Sequence, residues 1–141
     1  MSEPILFSVD AGLARITLNR PERLNAFDAS MAHAWVTATR EAATRSDVGA
    51  VLIDASGPAF CAGGDVRAMA EMASGAVITE LAQVINLGIR SLVESDRPVA
   101  VAAHGTTVGG GLGILLTGDY AVVGERSKVG SLYANMGLTP D

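Results

Sequence analysis

The chain has 141 residues, 49% of them hydrophobic and 18% charged, with a net charge of −5 and a pI of about 4.9. Those values describe one globular domain and exclude a disordered tract; they also exclude broad attraction to nucleic acid, which needs Lys and Arg to neutralise phosphates. The lone cysteine, Cys61, excludes an intrachain disulfide, no Cys or His cluster suggests a metal, and MSEPILFSVD has no basic leader followed by a long apolar run. The expectation is a soluble, cytoplasmic protein without metal or membrane span.

Taken in order, Ile5 to Asn19 reads as two strands around Asp10-Ala11-Gly12, the second alternating Ala14, Ile16 and Leu18 with Arg15, Thr17 and Asn19. Arg20-Pro21-Glu22-Arg23 breaks the strand, because proline cannot donate to a ladder. Asp28 or Ser30 caps a helix to about Thr44 with Met31, Ala34, Trp35, Ala38 and Ala42 on one face, which makes Trp35 a core anchor rather than a stacking residue. Gly49 to Ala55 reads as a strand buried on both faces. Ser56-Gly57-Pro58 then turns the chain into AFCAGGD and a helix carrying Val66, Met69, Ala70 and Ala73.

A further helix is expected from about Val77 to Ser95, with Leu81, Val84, Ile85, Gly88 and Leu92 at helical spacing and Arg97-Pro98 beyond its end. Val99 to Ala103 is a strand, the triplet Gly109, Gly110 and Gly111 opens a helix of about two turns through Thr117, Tyr120 to Val123 is a strand, and Ser127 to Gly130 closes the series. With no repeat, linker or low-complexity tract, residues 1–141 read as a single α/β domain.

Two strand-loop-helix junctions stand out, one at Ala62-Gly63 and one at the glycine triplet. Small residues there allow close approach, so their backbone N–H groups could hold one oxygen of a ligand; equally, the glycines could serve helix-sheet packing alone. Asp65 sits where a carboxylate caps a helix start rather than where a base is needed. Cys61 reads as pocket lining or as a nucleophile without an evident base, His104 as a satisfied core histidine or a pocket residue, Met69 and Met72 as lining of an apolar pocket or helix core, and His33 as surface.

The segments NRPERLNAF, GPAFCAGGDVRAM and HGTTVGGGLGILLTGDYAVVGERSKVGSLYANMGLTPD resemble, in order and spacing, the enoyl-CoA hydratase/isomerase (crotonase) superfamily. The resemblance implies a β-β-α spiral, coenzyme A thioester substrates with no permanently bound cofactor, and a homotrimer or hexamer. It also implies an oxyanion hole from two backbone N–H groups, carried over by motif to Ala62 and Gly110. Coenzyme A is expected beside Arg23, Leu24, Ala26, Ala62, Gly64, Asp65 and Val66, with Arg20 and Arg23 offsetting phosphate charge, and Met69, His104 and Tyr133 bordering the substrate pocket.

Departures from the family pattern shape the expected chemistry. The two glutamates of the hydratases fall at Gly113 and Tyr133, and a tyrosine, whose phenol ionises only at about pH 10, is a poor base at neutral pH. GLTPD resembles the GLxPD of isomerase-like members, in which the aspartate moves protons, so Asp141 becomes the expected base, with a turn residue as the plain alternative. An enoyl-CoA isomerase is therefore expected over a hydratase-like protein or a non-catalytic acyl-CoA-binding subunit. A dinucleotide-binding domain is disfavoured, since no G-x-G-x-x-G follows the first strand. Family members run to roughly twice this length, so the chain is expected to be the N-terminal half of a longer protein, ending before the C-terminal helices and exposing an apolar edge.

Overall fold

A computed structural model describes residues 3–71, 74–137 and 139. The alternation after Ile5 produces the hairpin β1 (Ile5–Asp10) and β2 (Leu13–Leu18), antiparallel with Ile5 opposite Leu18 and Asp10 opposite Leu13. Ala11 and Gly12 both take positive φ in the two-residue turn, the geometry that matches strand twist. The strands β3 (Ala50–Ala55), β4 (Val99–Ala103), β5 (Thr106–Val108), β6 (Tyr120–Val123) and β7 (Lys128–Gly130) follow. Between them lie α1 (Ala29–Thr44), α2 (Val66–Ala70), α3 (Gly75–Val93) and α4 (Gly110–Leu115).

One sheet has the order β1-β2-β3-β4-β6, parallel from β2 onward. A second layer repeats the same progression with shorter pieces: Phe27 bridges Gly64, Cys61 bridges Thr107, and β5 pairs with β7, all in parallel. Each circuit thus runs from a strand of the first sheet to a segment of the second and through a helix to the neighbouring strand. That is the β-β-α spiral, turned by β2, β3, β4 and β6 in succession.

Sequence expectation and structure differ in detail. α2 has five residues and α3 starts two residues before Val77, while Met72 and Ala73 lie outside the described residues. β5 has no counterpart in the sequence expectation, because three residues of Thr-Thr-Val carry no periodicity. β3 is not buried on both faces. Val51 and Ile53 are buried, but Asp54 turns to the outer face, where its carboxylate accepts from Arg15 Nε at 2.8 Å and Thr17 Oγ1 at 2.6 Å.

The core lies between the sheet and α1. Ala14, Ile16, Leu18, Val51, Ile53, Val99 and Val101 supply the sheet side, and Met31, Trp35, Ala38 and Ala42 the helix side. Asp28 caps α1 by accepting from Met31 N–H at 2.9 Å. Trp35 is fully buried and meets Phe27 edge-on with ring centroids 6.2 Å apart; its Nε1–H donates to Ile85 O at 3.1 Å. That bond joins α1 to α3, and the indole fills the space where a Cβ on Gly88 would stand.

α3 has the length and apolarity of a membrane-crossing helix, with mean hydropathy 1.3 over 19 residues. It carries Glu80 and Arg90 and buries Leu81, Gly88 and Leu92, so its apolar character is explained by packing on α1 and by the cavity described below. On β6, the edge strand of the five-stranded sheet, all four residues are exposed, Tyr120 at 70% and Val122 at 57%. This is the apolar edge expected from the sequence.

Replacing Gly88 by Ala forces a methyl into the Trp35 ring and should cost about 1–3 kcal/mol in urea unfolding. Trp35→Phe, which removes the donor to Ile85, should cost at least about 1 kcal/mol. A Gly88→Ala protein as stable as the native one would contradict the packing described.

Candidate functional site

The first junction is set by a buried asparagine. Leu24 and Asn25 adopt left-handed backbone, at φ 51 and 54, which turns NRPERLNAF sharply after the Pro21–Arg23 3-10 turn. Asn25 is fully buried yet satisfied: its Oδ1 accepts from Arg20 N–H at 2.7 Å, and its Nδ2 donates to Ser56 O at 2.9 Å and Ala59 O at 2.8 Å. An amide with these three bonds is stable in the core, whereas an unsatisfied one costs about 1–3 kcal/mol. The bonds hold the Arg20–Phe27 loop against the Ser56–Asp65 loop.

The same apposition decides which amides are available. Ala62 N–H donates to Leu24 O at 3.0 Å, so Ala62, expected from motif as an oxyanion donor, is already engaged. Two residues on, Phe27 N–H donates to Gly63 O at 2.7 Å and Asp65 N–H to Phe27 O at 2.8 Å. Those bonds flank Gly64, whose own N–H therefore faces away from Phe27. At the second junction Gly110 is the first residue of α4, where an N–H has no partner within the helix. Neither Gly64 N–H nor Gly110 N–H has a hydrogen-bond acceptor among the described residues.

The two junctions meet backbone to backbone. Gly63 has φ +89, and a Cβ there would lie 3.0 Å from Val108 O and 3.1 Å from Gly110 N. Only glycine fits such an approach with such a dihedral. Behind the contact, Cys61 is fully buried; its Sγ–H donates to Asn25 O at 3.1 Å, and burial pushes its thiol up to about 12. It is a packing residue without the thiolate a nucleophile needs.

Asp65 is the N-cap of α2, accepting from Arg67 N–H at 3.1 Å and Ala68 N–H at 3.2 Å, as the sequence suggested. It also accepts from Arg20 Nη1 at 3.1 Å and from Arg23 Nε at 3.2 Å. Burial acts to raise its carboxyl, but the Ala68 amide, the Arg20 hydrogen bond and the two guanidinium charges outweigh it and hold the group below the ordinary carboxylate range. Arg20 is further tied to Asp28 at 3.0 Å and Ala26 O at 2.7 Å. Its charge is neutralised inside the fold, contrary to the expectation that it faces a phosphate. Arg23 is the more exposed of the two, at 32% of its side chain, and Leu24 and Val66 beside the loop are exposed as well.

A cavity of about 440 Å³, within the range of small-molecule sites, opens in front of the two free amides. Of the residues singled out from sequence, Ala62, Gly64, Val66, Met69, Gly110 and Tyr133 border it, as does Gly113. His104 does not: its Nε2 lies 2.7 Å from Gly57 O, and it borders a separate cleft with Gly124 and Ser127. It is the satisfied histidine, turned away because β4 ends on the side of the β6–β7 turn. Asp141 and Met72 lie outside the described residues.

Sequence reasoning missed the opposite wall, formed by Ile78, Ala82, Ile85 and Ile89 of α3. Their spacing is helical and offset from Gly88, which meets Trp35 of α1, and the buried Leu81 borders the cavity beside them. Two apolar stripes on one helix are the signal that it is buried on two sides.

Comparison with known proteins follows the same lines. A family model described as enoyl-CoA hydratase/isomerase matches residues 13–141. The 1,2-epoxyphenylacetyl-CoA isomerase of Escherichia coli is 32% identical over 145 residues, covering 100% of this chain and 55% of the relative. The trans-2-decenoyl-[acyl-carrier-protein] isomerase of Streptococcus mutans is 29% identical over 140 residues, covering 97% and 53%. The crystal structure of an enoyl-CoA hydratase from Mycobacterium smegmatis superposes with a TM-score of 0.90 at 29% identity, over 96% of this chain and 53% of that one. The chain spans about half the length of the curated relatives it matches.

Because the Asp65 carboxyl is held low in the folded state, its contribution to stability is complete above about pH 4 and is lost as pH falls through the folded-state value. Asp65→Asn should cost about 3 kcal/mol at neutral pH and flatten the acid limb of a stability-pH curve; an unchanged limb would remove the ion-pair account. Cys61 should resist alkylation at pH 8 in the native protein and react only on unfolding.

Proposed function

Since this chain belongs to the enoyl-CoA hydratase/isomerase family, we propose that it carries the oxyanion-binding and acyl-binding part of an enzyme that stabilises a thioester enolate, acting as an enoyl-CoA isomerase. The observation that carries the reading is the pair of amides left without acceptors at Gly64 and Gly110, at one end of an apolar cavity in which Gly113 and Tyr133 provide no carboxylate.

The chemistry follows from where charge develops. A 3-enoyl thioester loses a proton from C2 to a base, the electron pair delocalises onto the thioester oxygen and C4, and return of the proton to C4 leaves the 2-enoyl thioester. Two preorganised N–H donors on that oxygen each stabilise the transition state by about 3 kcal/mol, because they are aimed where negative charge appears and need no reorganisation. Such a shift needs one carboxylate, whereas hydration needs groups that activate water and protonate the adjacent carbon. Asp141, in GLTPD, is the proposed proton carrier, on sequence grounds alone.

Coenzyme A is the proposed carrier of the acyl group, held along Arg23, Leu24, Ala26, Ala62, Gly64, Asp65 and Val66. Within that set Asp65 acts indirectly, holding Arg23 and the start of α2 in place. Isomerase activity is supported by two relatives named as isomerases and by the sequence at positions 113 and 133. A trimeric or hexameric assembly is proposed for the full-length protein.

Incubation of the full-length protein with a 3-enoyl-CoA in D2O should give 2-enoyl-CoA deuterated at C4, with deuterium also entering C2 of the remaining 3-enoyl-CoA. Asp141→Asn should slow both at least about a hundredfold. Efficient hydration, or undiminished exchange in the Asp141→Asn protein, would overturn the isomerase assignment; tight coenzyme A binding with no turnover would identify a non-catalytic binding subunit instead.

A further inference from the structure

Both junctions close on one buried residue. Cys61 N–H donates to Thr106 O at 3.1 Å and Cys61 O accepts from Val108 N–H at 3.0 Å, so its backbone is tied to the strand that leads into the glycine triplet. The first turn of α4 rests directly on it: a Cβ on Gly111 would stand 2.8 Å from Cys61 Cβ, closer than side chains approach. Its sulfur serves the other junction. Sγ–H donates to Asn25 O at 3.1 Å, and Sγ accepts from Gly63 N–H at 3.4 Å. Among the described residues neither Asn25 O nor Gly63 N–H has another hydrogen-bond partner. Burial keeps the thiol protonated, so it donates and accepts at once.

We propose that Cys61 is the positioning residue of the two amide donors: its thiol fixes the peptide before Gly63, and with it the direction of the Gly64 N–H, while its Cβ and backbone seat the turn that presents Gly110. The proposal rests on the oxyanion reading of Gly64 and Gly110. Gly63, at φ +89, is the flexible joint of the first loop, because a glycine turns between its two peptides more freely than any other residue. The peptide after it is anchored by Phe27 N–H on Gly63 O at 2.7 Å. The peptide before it is anchored at its N–H by the Cys61 sulfur alone. With both peptides held, rotation at Gly63 is blocked and the Gly64 N–H keeps one direction. Hydrogen bonds weaken steeply as they bend, so a modest turn at Gly63 is enough to misaim that donor.

Raman difference spectra of a 2-enoyl-CoA, isotope-labelled at the thioester carbonyl and bound to the full-length protein, read the aim of the donors. The native protein should lower the carbonyl stretch relative to the free thioester. Cys61→Ala, which deletes the sulfur alone, should lose at least about half of that shift and lower kcat about tenfold or more, with KM changed less than about threefold. Cys61→Ser, which restores a group that donates and accepts, should recover most of both. A native carbonyl shift or a native kcat in a folded Cys61→Ala protein, or no recovery in a folded Cys61→Ser protein, would overturn the positioning role and leave the oxyanion reading intact. A thioester bound to the native protein with its carbonyl unshifted would overturn both.

Discussion

The approach of the Gly63 backbone to the Val108–Gly110 segment is the constraint on which the site depends. With 3.1 Å between a notional Gly63 Cβ and the Gly110 nitrogen, no side chain can stand between the two loops. The approach is possible because the second layer of the spiral pairs Cys61 with Thr107 and Gly64 with Phe27, so each circuit registers on the preceding one. Donors that originate more than forty residues apart in sequence thereby open on one cavity as a consequence of strand pairing.

The wall of the cavity has a separate origin. α3 packs chiefly on α1, and the Trp35 indole both fills the notch at Gly88 and bonds to Ile85 O. The carbonyl held by Trp35 and the side chain bordering the cavity belong to one residue, so Ile85 couples core packing to cavity shape. A change at Trp35 would be felt as a change in the shape of the cavity wall.

Polar groups near the site serve its rigidity more than its charge. Arg20 and Arg23 face Asp28 and Asp65, and this four-residue cluster has no net charge. Asn25 satisfies Arg20, Ser56 and Ala59 together. Low aromatic content fits the same close spacing: Ala, Val, Leu and Ile at the sheet face allow layers to pack tightly, and a few larger rings, Phe27, Trp35 and Phe60, fill the interior.

Local pattern in the sequence determined the hairpin, α1 with its Asp28 cap, the β4 strand, the Asp65 cap and the two glycine junctions, because each depends on neighbours within a few residues. The family motifs carried the spiral and the membership in the enoyl-CoA hydratase/isomerase family. What only the tertiary structure decided is which amide at the first junction is free. Ala62 and Gly64 are indistinguishable in AFCAGGD, and the choice falls to Gly64 because Leu24 O captures the Ala62 N–H while the Phe27 bridge turns the Gly64 N–H outward. His104 and the α3 wall were decided in the same way, by strands and helices distant in sequence. Periodicity reports which face of an element is apolar, and packing alone reports what that face meets.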